Sequence, residues 1–336
     1  MTTIWPLPVI EFRELTSIKE TRPTALLTSQ PAWDAVSHLM ELPLVVQAEP
    51  HKADHDFFRE LADNLPPQVE VVYGVGGGLA SDAAKFIGKS KSLPTVIIPT
   101  ALSVDGFFTA IVAVRDKGSV RYEDSGPADR LVIDWDVIRS APPNVRGAAI
   151  VELLSIVTGL LDLRYAAERN KNTPETRFMP WAASVAAGIA QQAFKIANGV
   201  GLGNVDSLRN LLDLICMEVV LTNQLGHNRP QEGSEQIFAY AIEDKTASGR
   251  GVPYADLVGP GILIAAALHG QDIKPIRDTI SSAGVRLGQL RRDDIRETIM
   301  SLPDYVATHE ELPYTILNDM RPTAEMVDEL LTRTGL

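Results

Sequence analysis

The stretch Val69-Glu-Val-Val-Tyr-Gly-Val-Gly-Gly-Gly-Leu-Ala-Ser-Asp-Ala-Ala-Lys85 restricts the fold more than any other part of the chain. A β-rich run, Val69 to Tyr73, meets glycines at 74, 76, 77 and 78. A helical pattern follows, in which Leu79, Ala83, Ala84, Phe86 and Ile87 can share an inward stripe. Strand, glycine turn and helix together leave backbone N–H groups free at a helix N-terminus, where an anion is favoured. Glycine lets that backbone turn sharply and approach a phosphate, because no Cβ stands between them. The stretch therefore reads as a pyrophosphate cradle for a dinucleotide, with an ordinary tight strand-to-helix turn as the alternative. The spacing is not G-x-G-x-x-G, so the usual dinucleotide fingerprint is not met. Gly88-Lys89-Ser90 ends like a triphosphate-binding loop, but the first glycine of that motif would fall at Ala83, inside the helix.

Around this unit the chain alternates. Thr24 to Thr28 and Leu42 to Gln47 read as strands. Ala32 to Met40, opened by Pro31, and Asp54 to Leu65, with Asp54 as N-cap, read as helices. Thr95 to Thr100 is the strand after the glycine helix. Such βα alternation with short links predicts a parallel sheet, with ligands beyond the carboxyl ends of its strands. Ile111–Val114 and Ser119–Tyr122 read as a hairpin around Asp116-Lys-Gly118, and Leu131 to Asp134 as a further strand. Asp136 to Ser140 is a short helical turn closed by Ala141-Pro142-Pro143. Beyond Arg146 the periodicity is almost wholly helical: Ala148–Glu168, Pro180–Ala197, Ser207–Gln224, Ser234–Asp244 and Gly259–His269. The expected division is an α/β dinucleotide-binding domain over 1–144 and an all-α domain over 145–336.

With 336 residues the chain can fill two cores. Its net charge of −12 argues against nucleic acid or an anionic membrane as the main partner. The single cysteine, Cys216, excludes a disulfide framework and a cysteine-based zinc cluster, and sits in an apolar run that reads as core. No signal peptide or membrane span is visible, so a cytoplasmic protein is expected.

Several islands, in order, resemble the glycerol-1-phosphate dehydrogenases, which group with dehydroquinate synthase and the iron-dependent alcohol dehydrogenases. They are Gly74–Gly78, Pro99-Thr-Ala-Leu-Ser-Val-Asp-Gly106, Asp134–Pro143, Leu153–Asp162, Asn228-Arg-Pro-Gln-Glu-Gly-Ser-Glu-Gln236 and Leu312–Asn318. The resemblance implies a dehydroquinate synthase-like fold with its active site in the cleft between the two domains. It implies an oxidoreductase using NAD or NADP on a small phosphorylated or polyol substrate, and a homo-oligomer by analogy. By position, Gly76, Gly77 and Gly78 match the family's pyrophosphate loop, and Asp82 follows at the same helix start. Thr100, Ser103 and Asp105 match residues that face the nicotinamide half and the substrate. Where relatives that prefer NAD carry an acid after the first strand, this chain has Ser29-Gln30, which leaves NAD and NADP both open.

The family holds zinc or iron between an acid and two histidines. The matching positions here are Glu152, Gln236 and Tyr254. An amide oxygen is a poor ligand for these ions and a neutral phenol a worse one, so a bound metal is not expected. Of the six histidines, His38, His51, His55, His227, His269 and His309, none restores the pattern. The candidate catalytic residues are then Asp105, Glu152 and Tyr254. The Tyr254 phenol could serve as acid or base, or else merely fill a lost metal pocket. Arg229 and Gln236 are the candidate substrate contacts. Arg229 either grips a phosphate or caps the carbonyls of the preceding helix. Two other readings are a nucleotide-binding protein without catalysis and a sugar-phosphate cyclase related to dehydroquinate synthase.

Overall fold

The structure, a computed structural model, describes residues 3–116 and 119–336. It divides into two compact units, Met1–Arg146 and Gly147–Leu336. The expected turn at Asp116-Lys-Gly118 lies partly outside the described residues.

The first unit carries β1 (Val9–Phe12), β2 (Thr24–Thr28), α1 (Gln30–Val36), β3 (Leu44–Ala48), α2 (His55–Asp63), β4 (Val71–Gly76), α3 (Gly78–Lys91) and β5 (Thr95–Pro99). It continues through β6 (Ile111–Asp116), β7 (Ser119–Asp124), β8 (Arg130–Ile133), α4 (Trp135–Ser140) and α5 (Pro143–Arg146). Six strands form one sheet in the order β1-β8-β5-β4-β2-β3, parallel throughout. β6 and β7 pair antiparallel as a separate ribbon.

Every residue of β2, β4 and β5 is buried. This is why these strands read as continuous apolar runs: a parallel sheet is covered on both faces. Val71, Tyr73 and Val75 of β4 point into one core with Leu26, Val96, Ile98 and Val132. Full burial of each such side chain is worth about 1.5–3 kcal/mol. The opposite face takes α3 so closely that a Cβ on Gly74 would lie 2.9 Å from the Ala84 Cβ. The Asp54 carboxylate caps α2 by accepting from the Phe57 amide at 2.8 Å, as the sequence predicts.

The chain runs from β2 outward to β3, then returns past β2 to β4, β5 and β8. Counted from β2, this is the 2-1-3-4-5 doubly wound order. Its direction reverses between β2 and β4, and in sheets of this order the crevice for ligands lies at the carboxyl ends of the strands at that point. The glycine turn ends β4, one side of that crevice, and Ser29-Gln30 ends β2, the other.

The second unit is helical: α6 (Ala148–Glu168), α7 (Pro180–Gly201), α8 (Val205–Leu225), α9 (Ser234–Lys245), α10 (Tyr254–Leu268), α11 (Lys274–Ser282), α12 (Arg292–Thr308), α13 (Ile316–Asp319) and α14 (Ala324–Thr334). The middle helices α9 and α10 are buried along nearly their whole length, and both pack on α6. α10, apolar nearly all round, belongs in such a centre, whereas α9 brings buried Ser234, Glu235 and Gln236 that need partners. α10 crosses α9 where a Cβ on Gly261 would lie 2.3 Å from the Glu235 carbonyl oxygen. Cys216 is half-buried on α8, and burial pushes its thiol up to about 12, so it has no thiolate character at neutral pH. Among the described residues no helix is long and apolar enough to cross a membrane.

Candidate active site

In the first unit, β4 delivers the chain to Gly76, whose φ of +129° is open to glycine and strained for other residues. A Cβ there would also stand 2.9 Å from the Ala32 Cβ of α1. Gly77 is the N-cap of α3 and makes no side-chain cap, so the first amides of a 14-residue helix face outward without one. A Cβ on Gly77 would meet nothing within 4 Å: the space in front of it is open. Gly78 has the opposite character, since a Cβ there would lie 3.0 Å from Val104 Cγ2.

Val104 belongs to the loop that follows β5. The loop starts with the Thr100 amide donating to the Gly76 carbonyl at 3.3 Å. It continues through half-buried Ser103, Val104 and Asp105 into a 3-10 turn, Asp105–Phe107, and is pinned from below by buried Phe107 and Phe108. Thr100, Ser103 and Asp105 thus share one loop, and that loop lies against the glycine turn. The fold brings the loop that carries these three against the turn that carries Gly76, Gly77 and Gly78.

Asp82 does not take its expected place as a cofactor contact. Its Oδ2 accepts from the Ala113 amide at 3.2 Å and its Oδ1 lies 3.3 Å from Lys85 Nζ. The carboxylate turns inward because its helical position, one turn into α3, faces β6 rather than the open end of the turn. Lys85, passed over in the sequence, is 2% exposed and donates to the carbonyls of Gly106 at 2.7 Å and Ile111 at 2.5 Å. Burial pushes the Asp82 carboxyl up and the Lys85 ammonium down, and their mutual attraction opposes both shifts. The i,i+3 spacing of Asp82 and Lys85 was the available signal.

In the second unit, Glu152 sits buried on α6, Gln236 buried on α9, and Tyr254 half-buried as the first residue of α10. These helices pack pairwise on one another. The Gln236 amide is engaged at both ends: Nε2 donates to the Gln231 carbonyl at 3.1 Å and Oε1 accepts from the Tyr240 hydroxyl at 3.0 Å. Among the described residues no group of three or more His, Cys, Asp or Glu side chains is placed to hold a metal ion.

Arg229 also departs from its expected role as a phosphate contact. Its guanidinium is buried and donates to the carbonyls of Glu232 at 2.6 Å and Tyr314 at 3.1 Å, neither of them in the preceding helix that the capping alternative named. Nearby, Asp162 accepts from the amides of Ser234 and Ile316 and faces His269. Glu235 accepts from Thr158 Oγ1 at 2.7 Å and the Gly233 amide at 2.8 Å. Burial, with the Asp162 charge, pushes Glu235 up to about 8. The island Asn228–Gln236 is thus a polar knot that ties the start of α9 to α6 and to the Tyr314–Ile316 segment.

Residues 14–142 match the family model described as iron-containing alcohol dehydrogenase. A glycerol-1-phosphate dehydrogenase (NAD(P)+) of Thermofilum pendens is 28% identical over 327 residues, 90% of this chain and 91% of the relative. One from Methanothrix thermoacetophila is 28% identical over 244 residues, 73% of this chain and 67% of the relative. Among solved structures, a probable glycerol dehydrogenase from Sinorhizobium meliloti superposes with a TM-score of 0.69 at 16% identity, covering 98% of each chain. A sulfoacetaldehyde reductase from Bifidobacterium kashiwanohense in complex with NAD+ gives 0.63 at 15% identity, covering 98% of this chain and 97% of that one. The parallel sheet followed by a helical unit is the fold of these solved structures; residues 14–142 are similar to the iron-containing alcohol dehydrogenases, and most of the chain is similar to the glycerol-1-phosphate dehydrogenases.

Proposed function

We propose that the protein is an NAD(P)-dependent oxidoreductase that moves a hydride between the nicotinamide C4 and the carbinol carbon of a small polyol or polyol phosphate. The observation that carries this reading is the open, uncapped glycine turn at the sheet's switch point, with the Thr100–Asp105 loop lying against it. Gly76, Gly77 and Gly78 would take the pyrophosphate. Thr100, Ser103 and Asp105 would line the nicotinamide end. The names of the glycerol-1-phosphate dehydrogenase relatives support the substrate class.

The helical unit's residues fit zinc or iron poorly. An acid, an amide and a phenol stand at the three positions, and both polar atoms of the amide are hydrogen-bonded within the protein. In ketone reduction the substrate carbon accepts hydride and its oxygen needs a proton. The Tyr254 phenol, half-buried at the N-terminus of α10, is the candidate donor there, with Glu152 and Gln236 on the helices that pack against α10. The expected oligomer remains part of the same reading.

The test uses Gly77→Val. Its backbone (φ −93°) suits any residue and nothing stands within 4 Å of the new Cβ, so the fold is expected to be unchanged. A branched side chain in front of the helix amides should raise the dissociation constant for NADH or NADPH at least about tenfold, a cost of about 1.4 kcal/mol. Equal affinity in the variant would remove the cradle. The closed amide of Gln236 favours a second reading, a nucleotide binder without turnover. Reduction of dihydroxyacetone phosphate in excess EDTA, lost in Tyr254→Phe, would decide for catalysis.

A further inference from the structure

The ammonium of Lys85 lies beneath the loop that follows β5, not beside any solvent-facing group. It donates to the Gly106 carbonyl at 2.7 Å and the Ile111 carbonyl at 2.5 Å, and approaches the Thr109 carbonyl and hydroxyl, each at 3.4 Å. Its counter-charge, Asp82, is 3.3 Å away and bonds the Ala113 amide from its other oxygen. One side chain from the third turn of α3 therefore holds both ends of the segment Gly106–Ile111. The hold matters at Asp105. The 3-10 turn Asp105–Phe107 contains Gly106, and the Phe108 amide closes it on the Asp105 carbonyl at 2.8 Å. The Asp105 charge also favours the Lys85 ammonium.

Burying an ammonium costs several kcal/mol before its partners are counted. A leucine or methionine there would pack without that cost, so packing alone does not explain a lysine at this position. What the amine adds is directional: three donors fix where the loop's carbonyls point, and with them the 3-10 turn. α3 thereby carries the cradle at its first residues and the loop's anchor two turns on, as one rigid piece.

We propose that Lys85, with Asp82 as its counter-charge, is a positioning residue that sets Asp105 and the Thr100–Asp105 loop against the nicotinamide end of the bound dinucleotide, while the glycine turn holds the pyrophosphate independently. The proposal rests on the dinucleotide reading above and assigns Asp82 a place in it other than cofactor contact.

The two halves of the site can be probed apart, because ADP-ribose has the pyrophosphate but lacks the nicotinamide. The variants are Lys85→Met, which keeps the stem and drops the donors, and Asp82→Asn. The latter keeps the size but turns amide donors toward the ammonium. Binding of ADP-ribose and NAD(P)H is measured by calorimetry, and reduction of dihydroxyacetone phosphate by steady-state kinetics. In Lys85→Met the ADP-ribose dissociation constant should stay within about twofold of wild type, while kcat falls about 10- to 100-fold. KM for the ketone should change much less than kcat. Asp82→Asn should show the same split at smaller size, and it carries the test alone if Lys85→Met does not fold. Wild-type kcat in a folded variant would overturn the proposal, as would equal losses of ADP-ribose and NAD(P)H affinity, the mark of a merely structural residue. Wild-type protein that binds neither ADP-ribose nor NAD(P)H would instead overturn the dinucleotide reading, and this inference with it.

Discussion

The Asp162 carboxylate and the His269 imidazole meet at 2.9 Å inside the helical unit, with Asp162 fully buried. The same carboxylate accepts from the Ser234 amide at 2.7 Å and the Ile316 amide at 2.9 Å. From α6 it thus serves as an acceptor for the start of α9, the start of α13 and the end of α10.

Removing that acceptor takes the partner from the buried Ser234 amide, the Ile316 amide and the His269 ring at once. Asp162→Ala should therefore destabilise the protein by about 3 kcal/mol or more and lower its melting temperature by roughly 5–10 °C. His269→Ala, which removes only one of the three partners, should cost less. Thermal unfolding of the two variants checks the order; a larger loss at His269 would contradict it.

Glu235 gives the stability a pH dependence. Its folded pKa of about 8 lies above the ordinary 4.5, so its contribution is complete below about pH 4.5 and is lost as the pH rises toward 8. Thr158 Oγ1 can donate to the Ser155 carbonyl at 3.2 Å and accept from a protonated Glu235, an arrangement an amide reproduces. Glu235→Gln should therefore gain on wild type as the pH is raised, by at most about 1.4 kcal/mol per pH unit. Urea unfolding at pH 5, 6.5 and 8 reads this directly, and parallel curves would rule it out.

Cofactor choice can be probed at Glu49. It follows β3, and its Oε1 lies 3.4 Å from the Gln30 amide after β2, on the far side of the switch point from the glycine turn. A carboxylate there can bond ribose hydroxyls and repels a 2′-phosphate. NAD should be preferred, and Glu49→Ala should shift the ratio of kcat/KM values toward NADP by about tenfold, about 1.4 kcal/mol. Kinetics with both cofactors tests this; an unchanged ratio would clear Glu49 of the role.

The three positions on α6, α9 and α10 can be tested by restoring imidazoles. Gln236→His with Tyr254→His, beside native Glu152, supplies an acid and two histidines on helices that already pack together. The double variant should take up one zinc ion in calorimetry and melt higher with zinc, by linkage. No uptake would mean that the three side chains do not converge.

Much of the fold could be read from the residues. Continuous apolar runs at β2, β4 and β5 announce strands covered on both faces, and α6 ends where its periodicity ends. β1 was missed because four residues, Val-Ile-Glu-Phe, carry no period. α10 begins at Tyr254 rather than Gly259 because Pro260, which breaks the sequence pattern, costs only the bond its missing N–H would make to the first turn. α7 runs on to Gly201 instead of stopping near Ala197. Its late glycines serve close approach, since a Cβ on Gly201 would lie 2.2 Å from the Ser282 carbonyl oxygen. In the site, the glycine turn and its loop were legible as local patterns. The inward turn of Asp82, the carbonyl grip of Arg229 and the nearness of Glu49 to Gln30 were not. Each depends on a partner brought close only by the tertiary fold.

Among the described residues β1 pairs only with β8, Val9 beside Arg130 and Phe12 beside Ile133. During synthesis the earliest strand has no sheet neighbour until the stretch through Ile133 has left the ribosome. By then β2 to β5 can already have assembled. Completion of the sheet is thus a late, long-range step, and a slow one by the entropy of closing so large a loop. A ribosome stalled before β8 would hold an assembled inner sheet with β1 still unpaired, a nascent species that chaperones can recognise and proteases can clip.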